Sequence, residues 1–142
     1  MEGKKILIAG ITGGILLFVA QFTFSYLGNA IAPYDVFAIG GMRQVTDLLM
    51  NLFFAYPFVL SFASAVVFDR VKGALGRAGG ECCCGGAGLT FGAILILLVT
   101  VPSMFVIYSS MTYPAGFYIG NILFGLIGFP VLGILYARIW GV

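Results

Sequence analysis

The chain has 142 residues, of which 61% are hydrophobic and only 8% are charged. Soluble globular proteins have roughly 45–50% apolar and about 25% charged residues. Seven basic and five acidic side chains can neither cover a water-soluble surface nor form a basic face for nucleic acid. The composition therefore excludes a soluble domain, a disordered chain and a nucleic-acid-binding protein. It predicts a single domain, residues 1–142, whose main partner is the lipid bilayer.

The gaps between charged residues mark the stretches that can cross a membrane. A spanning helix needs about 20 apolar residues, because each residue rises about 1.5 Å through roughly 30 Å of hydrocarbon. Residues 6–34, 48–68 and 82–137 contain no charge. The last stretch has room for two spans with a turn at residues 112–116, where proline and glycine break the helix. We therefore predict an all-α polytopic membrane protein with four transmembrane helices: Lys5–Leu27, Thr46–Asp69, Gly86–Ser109 and Gly116–Trp140.

The positions of lysine and arginine predict the orientation of these helices. Basic residues concentrate in cytoplasmic loops. In the four-span arrangement only Arg43 falls on the opposite side from the other basic residues, which are Lys4, Lys5, Arg70, Lys72, Arg77 and Arg138. We therefore expect a multi-pass protein of the cell membrane, with both termini in the cytoplasm and the loop of residues 28–45 outside.

Two parts of the sequence resemble each other, which indicates a duplicated helical hairpin. Gly10–Gly14 is similar to Gly88–Gly92, and residues 51–55 are similar to residues 121–125. Chance similarity between apolar segments is the alternative. If the hairpin is duplicated, repeats 5–69 and 86–140 are related by a pseudo-twofold axis along the membrane normal.

Glycines at four-residue spacing mark candidate positions for helix packing. Membrane helices are not driven together by the hydrophobic effect, so close backbone approach over small residues supplies the packing. These contacts could form within the chain or between chains. Helix four has glycines spread around it, so we expect one face to pack internally and another to contact a second copy or a different membrane protein. The predicted packing positions are Gly10, Gly14, Gly88, Gly92, Gly116, Gly120 and Gly128.

Several residue types that carry chemistry are missing. The sequence contains no histidine, which excludes His-ligated haem and histidine general bases. Charged residues are also missing from the middle of the predicted spans, where proton pumps, ion-coupled carriers and voltage sensors need them. We therefore expect a non-enzymatic protein without a cofactor.

Neutral polar residues inside the spans are candidates for lining a small polar cavity. Gln21 and Ser25 are four residues apart and share one helix face. Residues of this kind either form hydrogen bonds between helices or line a cavity for a neutral solute or a lipid headgroup. The candidate cavity residues are Gln21, Ser25, Asn51, Ser61, Ser103 and Asn121.

Three prolines lie inside the predicted helices, at Pro57, Pro102 and Pro130. Each removes a backbone hydrogen bond, which predicts a kink. Kinks in membrane helices can line binding sites, because the freed carbonyls accept hydrogen bonds, but they also occur in inert spans.

The cluster Cys82, Cys83 and Cys84 lies in a glycine-rich stretch on the predicted cytoplasmic side, where thiols stay reduced. Three thiolates can bind copper(I) or zinc, although adjacent cysteines are strained as tetrahedral ligands. Acylation at the membrane edge is a second interpretation. The third is that these are simply small residues at a boundary.

The second half of the chain resembles small, uncharacterised four-span integral membrane proteins of bacteria and archaea. The similarity rests on Lys72-Gly73, Gly88–Gly92, Pro102, Pro114 and the glycine-rich last helix. It implies a compact four-helix unit and no particular activity.

Three functions remain open at this point. The first is an accessory or packing subunit of a homo- or hetero-oligomeric membrane complex, which the glycine-rich and aromatic composition favours. The second is a small transporter or channel for a neutral or lipid-like solute. The third is thiol or metal handling at the cytoplasmic face through Cys82–Cys84. A bundle centre filled by apolar side chains favours the subunit, and a polar cavity that reaches both membrane faces favours transport.

The predicted orientation determines which side of the membrane exposes two positions. In a chain whose native cysteines are replaced by serine, we expect an impermeant thiol reagent to label Asp35→Cys only from outside. The same reagent should label Lys72→Cys only from the cytoplasm. Labelling of position 35 from the cytoplasm, or protection of position 72 there, would contradict the orientation.

Overall fold

The computed structural model describes residues 2–35, 46–78 and 86–142. Within these ranges the chain forms four helices that are long and apolar enough to span a membrane, and it forms no strand. The predicted all-α membrane fold with four helices is therefore confirmed. The helices are α1, Glu2–Ile31; α2, Asn51–Ala78, which follows a 3₁₀ turn at Leu48–Met50; α3, Gly86–Ser110; and α4, Ala115–Trp140.

Helices α1 and α2 extend beyond the ends predicted at Leu27 and Asp69. The prediction for α2 used the first charged residue as the helix end, but a charge marks the edge of the hydrocarbon and does not stop a helix. In α2 the Lys72 Nζ lies 2.6 Å from the Asp69 Oδ1, one turn away along the same helix. Such a pair stabilises a continuing helix.

Two of the three prolines follow a π turn. The π turn Ile96–Thr100 in α3 precedes Pro102, and the π turn Phe124–Gly128 in α4 precedes Pro130. A proline ring collides with the carbonyl four residues earlier, and that carbonyl belongs to the π turn in both helices. The wider turn relieves this collision. Pro57 is buried within α2, which continues as an α-helix through that position.

Helix α4 is the most buried helix and α3 the least, with 39% and 17% of their most apolar windows buried. We call the end of the bundle that holds Trp140 the inner end, and the end that holds Met111 the outer end. Helix α4 packs against α1 over its whole length and against α3 over its inner half. Helix α2 packs mainly against α1.

The outer contact between α1 and α4 is made by backbone against backbone. A Cβ atom added at Gly28 would lie 2.9 Å from the backbone nitrogen of Gly120, and one at Gly116 would lie 2.8 Å from the carbonyl oxygen of Gly28. A Cβ at Gly120 would lie 2.9 Å from the carbonyl oxygen of Phe24. Real Cβ atoms do not approach backbone atoms this closely, so glycine is required for the two helices to meet here.

The inner contact between α3 and α4 follows the same principle on other residues. A Cβ at Gly88 would lie 2.6 Å from the carbonyl oxygen of Gly133, and one at Gly92 would lie 2.9 Å from that of Phe129. Helix α4 is thus joined to α1 at its outer end and to α3 at its inner end.

The glycine pairs of the two hairpins have comparable positions. Gly10 and Gly14 of α1 give room to the rings of Phe62 and Phe58 on α2, as Gly88 and Gly92 of α3 give room to α4. The contacts between the hairpins are unequal, however, because α1 meets α4 extensively while α2 meets α3 mainly through the inner part of α3. A pseudo-twofold axis would relate the α1–α4 interface to the α2–α3 interface and make them equivalent. These contacts therefore do not support the duplication, which stays a prediction.

The expectation that helix four keeps a glycine face for a partner is wrong. Its glycines are all buried within the chain, because α1 and α3 pack on different faces of α4. Gly128 also differs from the other predicted packing positions, since a Cβ there would make only ordinary contacts of 3.6 Å or more. The buried glycines of α4 are Gly116, Gly120, Gly125, Gly128 and Gly133.

Aromatic side chains fill the inner half of the bundle. The Phe68 ring lies 5.0 Å from the Phe91 ring, 5.7 Å from the Tyr136 ring and 5.4 Å from the Trp140 ring, measured between centroids. Leu17 of α1 belongs to the same buried core and is fully buried. The centre of the inner half is therefore closed and packed.

The close contact at Gly133 predicts a large stability difference between two glycine substitutions. A methyl group in Gly133→Ala would overlap the backbone of α3 at Gly88, so α3 and α4 must separate, at about 1–3 kcal/mol. The control is Gly73→Ala, where a Cβ meets nothing within 4 Å, and there the better helix propensity of alanine should stabilise α2 by up to about 1 kcal/mol. Reversible unfolding in mixed detergent micelles gives both values, and equal effects would contradict the inner contact.

Candidate functional site

The outer half of the bundle is open. The segment Val101–Ser110 of α3, all of which the structure describes, contains no buried residue. Helix α3 is joined closely to α4 only at the inner end, so space remains where the outer halves of the helices diverge. Two adjoining cavities of about 160 Å³ and about 70 Å³ occupy this space.

The two cavities share three residues, Gln21 of α1 with Asn121 and Phe124 of α4. The larger one lies toward the outer rim, and all four helices contribute to the smaller, deeper one. The other residues of the larger cavity are Ser25, Tyr34, Phe53, Phe117 and Gly120. Those of the deeper cavity are Tyr56, Val99, Thr100, Ser103, Met104 and Phe129. We call both together the outer cavity.

The polar groups of the outer cavity lie within the membrane-spanning part of the helices. Gln21 is ten residues from the end of α1 at Ile31, which is about 15 Å at about 1.5 Å per residue. By the same measure, Asn121 lies about 9 Å from the start of α4 and Ser103 about 10 Å from the end of α3. The polar centre of the cavity thus lies about two to three helical turns from the outer ends of these helices.

The side-chain oxygen of Gln21 is the most informative atom of this site. It is buried, and no hydrogen-bond donor among the described residues reaches it. An unsatisfied buried acceptor costs about 1–3 kcal/mol, and buried polar atoms in proteins nearly always have a partner. A ligand beside Gln21 could remove this cost only if the side chains covering Oε1 shift, so that the ligand can donate a hydrogen bond to it.

A local hydrogen bond orients the second amide of the cavity. Asn121 Nδ2 donates to the carbonyl oxygen of Phe117 at 2.8 Å, one turn earlier in α4. This bond restricts the amide at the junction of the two cavities. The chain therefore holds two amide side chains, from α1 and α4, beside the same space.

The π turns form part of the wall of the deeper cavity. Thr100 is the last residue of the π turn in α3, and Phe124 is the first residue of the one in α4. A Cβ at Gly125 would lie 2.7 Å from Thr100 Cγ2, so the threonine side chain uses the room that this glycine leaves. Turns of this kind occur often at functional sites.

The structure brings four of the six predicted cavity residues together: Gln21, Ser25, Ser103 and Asn121. Asn51 is exposed at the start of α2 and is not a lining residue. Ser61 lies in the inner half, so neither residue lines these two cavities. The sequence does not distinguish these two residues from the four that line the cavity, because all six lie within predicted spans. The location of the outer cavity depends on which helix halves separate.

Ser61 belongs to a closed hydrogen-bond network in the inner half. The Tyr136 hydroxyl donates to the Ser61 carbonyl oxygen at 2.7 Å, and the two hydroxyl oxygens are 2.8 Å apart. The Ser61 hydroxyl also lies 3.3 Å from the carbonyl oxygen of Ala9, to which it donates. Gly13 makes room for this network, since a Cβ there would lie 3.0 Å from the Tyr136 hydroxyl. The network joins α1, α2 and α4.

Tyr56 and Thr100 are outside the predicted set of six cavity residues, although both line the deeper cavity. Thr100 lies two residues before Pro102, so the proline was the signal that could have found it. Tyr56 directly precedes Pro57, but it also resembles any aromatic residue of a membrane span. The aromatic lining residues carry no signal that separates them from the other phenylalanines and tyrosines.

The predicted metal site cannot be placed, because Cys82, Cys83 and Cys84 lie outside the described residues. Within the described ranges, no group of three or more histidine, cysteine, aspartate or glutamate residues could hold a metal ion. Metal or thiol chemistry at the cysteines stays a prediction.

The charged residues at the inner end have a structural role. Asp69 Oδ1 accepts a hydrogen bond from Trp140 Nε1 at 2.8 Å and pairs with Lys72 at 2.6 Å. The Lys72 Nζ also lies 6.0 Å from the centre of the Trp140 ring. These contacts join α2 to the end of α4.

Comparison with protein-family models, with curated proteins and with solved structures finds no match to this chain. The fold establishes a multi-pass membrane protein. Function must be inferred from the site itself, because a four-helix architecture hosts many unrelated activities.

The inner network predicts an energetic coupling between Ser61 and Tyr136. Hydrogen bonds between membrane helices contribute about 0.6 kcal/mol on average, up to about 1.7 kcal/mol. We expect Ser61→Ala and Tyr136→Phe each to destabilise the fold, and the double variant to cost less than the sum, because the contact between the two hydroxyls is lost in each. Unfolding in mixed micelles measures the cycle, and strictly additive effects would contradict the network.

Proposed function

We propose that this protein is a non-enzymatic membrane protein that binds a small neutral molecule, or the neutral headgroup of a lipid, in the outer cavity. The observation that carries the proposal is the buried Gln21 oxygen without a donor, at the junction of two cavities that are largely apolar and contain a few polar groups. This is the second of the functions that the sequence leaves open, restricted to binding from one side of the membrane.

The lining of the outer cavity supports a neutral ligand. None of its described lining residues carries a charge. A charged group transferred from water to such a site pays a large desolvation cost that only an opposite charge would offset. Amides and hydroxyls from Gln21, Asn121 and Ser103 instead match uncharged hydrogen-bonding groups.

The packed inner half argues against a channel through a single chain. Phe91 and Phe129 are 1% exposed, and Tyr136 and Leu132 are fully buried. The outer cavity is lined from the outer halves of the helices and from the π turns, and this inner layer lies beyond it. A solute bound at Gln21 therefore meets closed packing on its inner side.

A subunit role is the second candidate, and one specific observation favours it. The outer half of α3 is largely exposed, with Phe105 73% exposed and Tyr108 77% exposed. A helix of a partner protein would cover this segment. The glycines of helix four do not support the subunit role, because they are buried within the chain.

The binding proposal is tested by native mass spectrometry of the protein taken from its own membranes. We expect a bound neutral adduct that Gln21→Leu reduces about tenfold, which corresponds to one hydrogen bond of about 1.4 kcal/mol. The matched control is Thr23→Val on the same helix, because Thr23 is exposed and its hydroxyl donates to the carbonyl oxygen of Val19 at 2.8 Å.

Two results would contradict the binding proposal. One is that no adduct is found, and the other is that Gln21→Leu and Thr23→Val retain it equally. A stoichiometric partner chain that Phe105→Ala releases, without any small adduct, would establish the subunit role in its place.

A further inference from the structure

We infer that the ligand of the outer cavity is a lipid with an uncharged, hydroxyl-bearing headgroup. The headgroup binds at Gln21, and the acyl chains lie between the outer halves of α2 and α3. This inference rests on the proposed binding function and adds the ligand class and the route by which the ligand reaches the site.

The side of the outer cavity between α2 and α3 faces the hydrocarbon. Residues 51–56 at the start of α2 are all exposed, and Val101–Ser110 of α3 has no buried residue. Helix α2 meets α3 mainly at its inner part, Gly86–Leu95. Both helices thus border a lateral gap at the depth of the cavity, and lipid chains are the solvent there.

The side of the outer cavity toward water is lined by aromatic rings. The centroids of Tyr34 and Phe117, which both line the larger cavity, are 6.4 Å apart, and the Tyr113 ring lies 4.6 Å from Phe117. Aromatic belts of this kind lie at the headgroup level of membranes. A free polar solute would have to pass these apolar faces, whereas an amphiphile already in the bilayer reaches the cavity from the side.

The polar and apolar residues of the cavity match an amphiphile. Gln21 and Asn121 supply hydrogen-bonding groups beside the shared space, and Ser103 supplies one in the deeper cavity. Met104 of α3 and Phe53 of α2 supply apolar surface. Methionine adapts its shape to varied apolar groups. A headgroup at the amides therefore leaves its chains against apolar side chains and the lateral gap.

The unpartnered oxygen of Gln21 selects among lipid headgroups. A hydroxyl group donates one hydrogen bond and accepts others, so it satisfies Gln21 Oε1 and also takes bonds from neighbouring donors. A phosphocholine group has no donor for this oxygen. A phosphate with an added glycerol has the donor but brings a negative charge into a neutral lining. An uncharged glycerol hydroxyl meets both requirements.

The size of the cavity agrees with a small headgroup. The larger part has about 160 Å³, far more than the roughly 10–15 Å³ that a single water requires. A glycerol-sized group fits in this volume.

The inference is tested with the full chain in nanodiscs of phosphatidylcholine. One set contains a small fraction of dioleoylglycerol, a second contains dioleoylphosphatidylglycerol, and a third has free glycerol in the buffer. Native mass spectrometry then reports which molecule stays bound. We expect selective retention of dioleoylglycerol, reduced about tenfold by Gln21→Leu and unchanged by Thr23→Val.

A second variant keeps the test independent of folding defects in Gln21→Leu. Ser103 is exposed, so Ser103→Ala should fold normally and reduce retention of dioleoylglycerol about threefold, as expected for one weak hydrogen bond in a membrane. Unchanged retention in both cavity variants would overturn the inference.

The nanodiscs with dioleoylphosphatidylglycerol and those with free glycerol distinguish failure of this inference from failure of the binding proposal. Retention of free glycerol without dioleoylglycerol would overturn the lipid inference and leave the binding function intact. Equal retention of dioleoylphosphatidylglycerol would overturn the requirement for a neutral headgroup. Failure of all three probes overturns the lipid inference, and the adduct found in native membranes then decides the binding function separately.

Discussion

The structure depends on the backbone contacts that α4 makes over glycine. Apolar side chains gain little by leaving lipid for one another, so close packing decides which membrane helices associate. Gly116 and Gly120 bring α4 against α1 at the outer end, and Gly133 brings it against α3 at the inner end. Because the two contacts lie at opposite ends, α3 follows α4 through the inner half and separates from the bundle in the outer half.

This arrangement divides the bundle into a packed half and an open half. In the inner half, the Ser61 and Tyr136 hydroxyls and the Asp69–Trp140 hydrogen bond join helices that are distant in sequence. In the outer half, the two π turns and the diverging helix ends leave the neutral polar cavity around Gln21. The proposed binding therefore involves a different part of the four helices from the packed inner half, so a variant in one half can be used as a control for the other.

The sequence predicted the four helices well, because length and apolar character are local properties. It also identified most packing glycines and four of the six cavity residues. It failed where the answer depends on which helix halves come together. In the sequence, Ser61 and Gln21 are both neutral polar residues within a predicted span. Their environments differ because Ser61 contacts Tyr136, which is 75 residues away in the chain. The glycines around helix four predicted a face for a partner, but α1 and α3 of the same chain pack against those faces.

The central claim is that the outer half of the bundle is open and contains an uncharged cavity, while the inner half is closed. Thiol reactivity tests it most directly, in vesicles and with the native cysteines replaced by serine. The two positions are Ser103, which lines the outer cavity, and Ser64, which is 3% exposed in the inner half. The account predicts that a small, neutral thiol reagent that enters the bilayer modifies Ser103→Cys readily and leaves Ser64→Cys unmodified. Equal rates at the two positions, or faster modification at position 64, would contradict it.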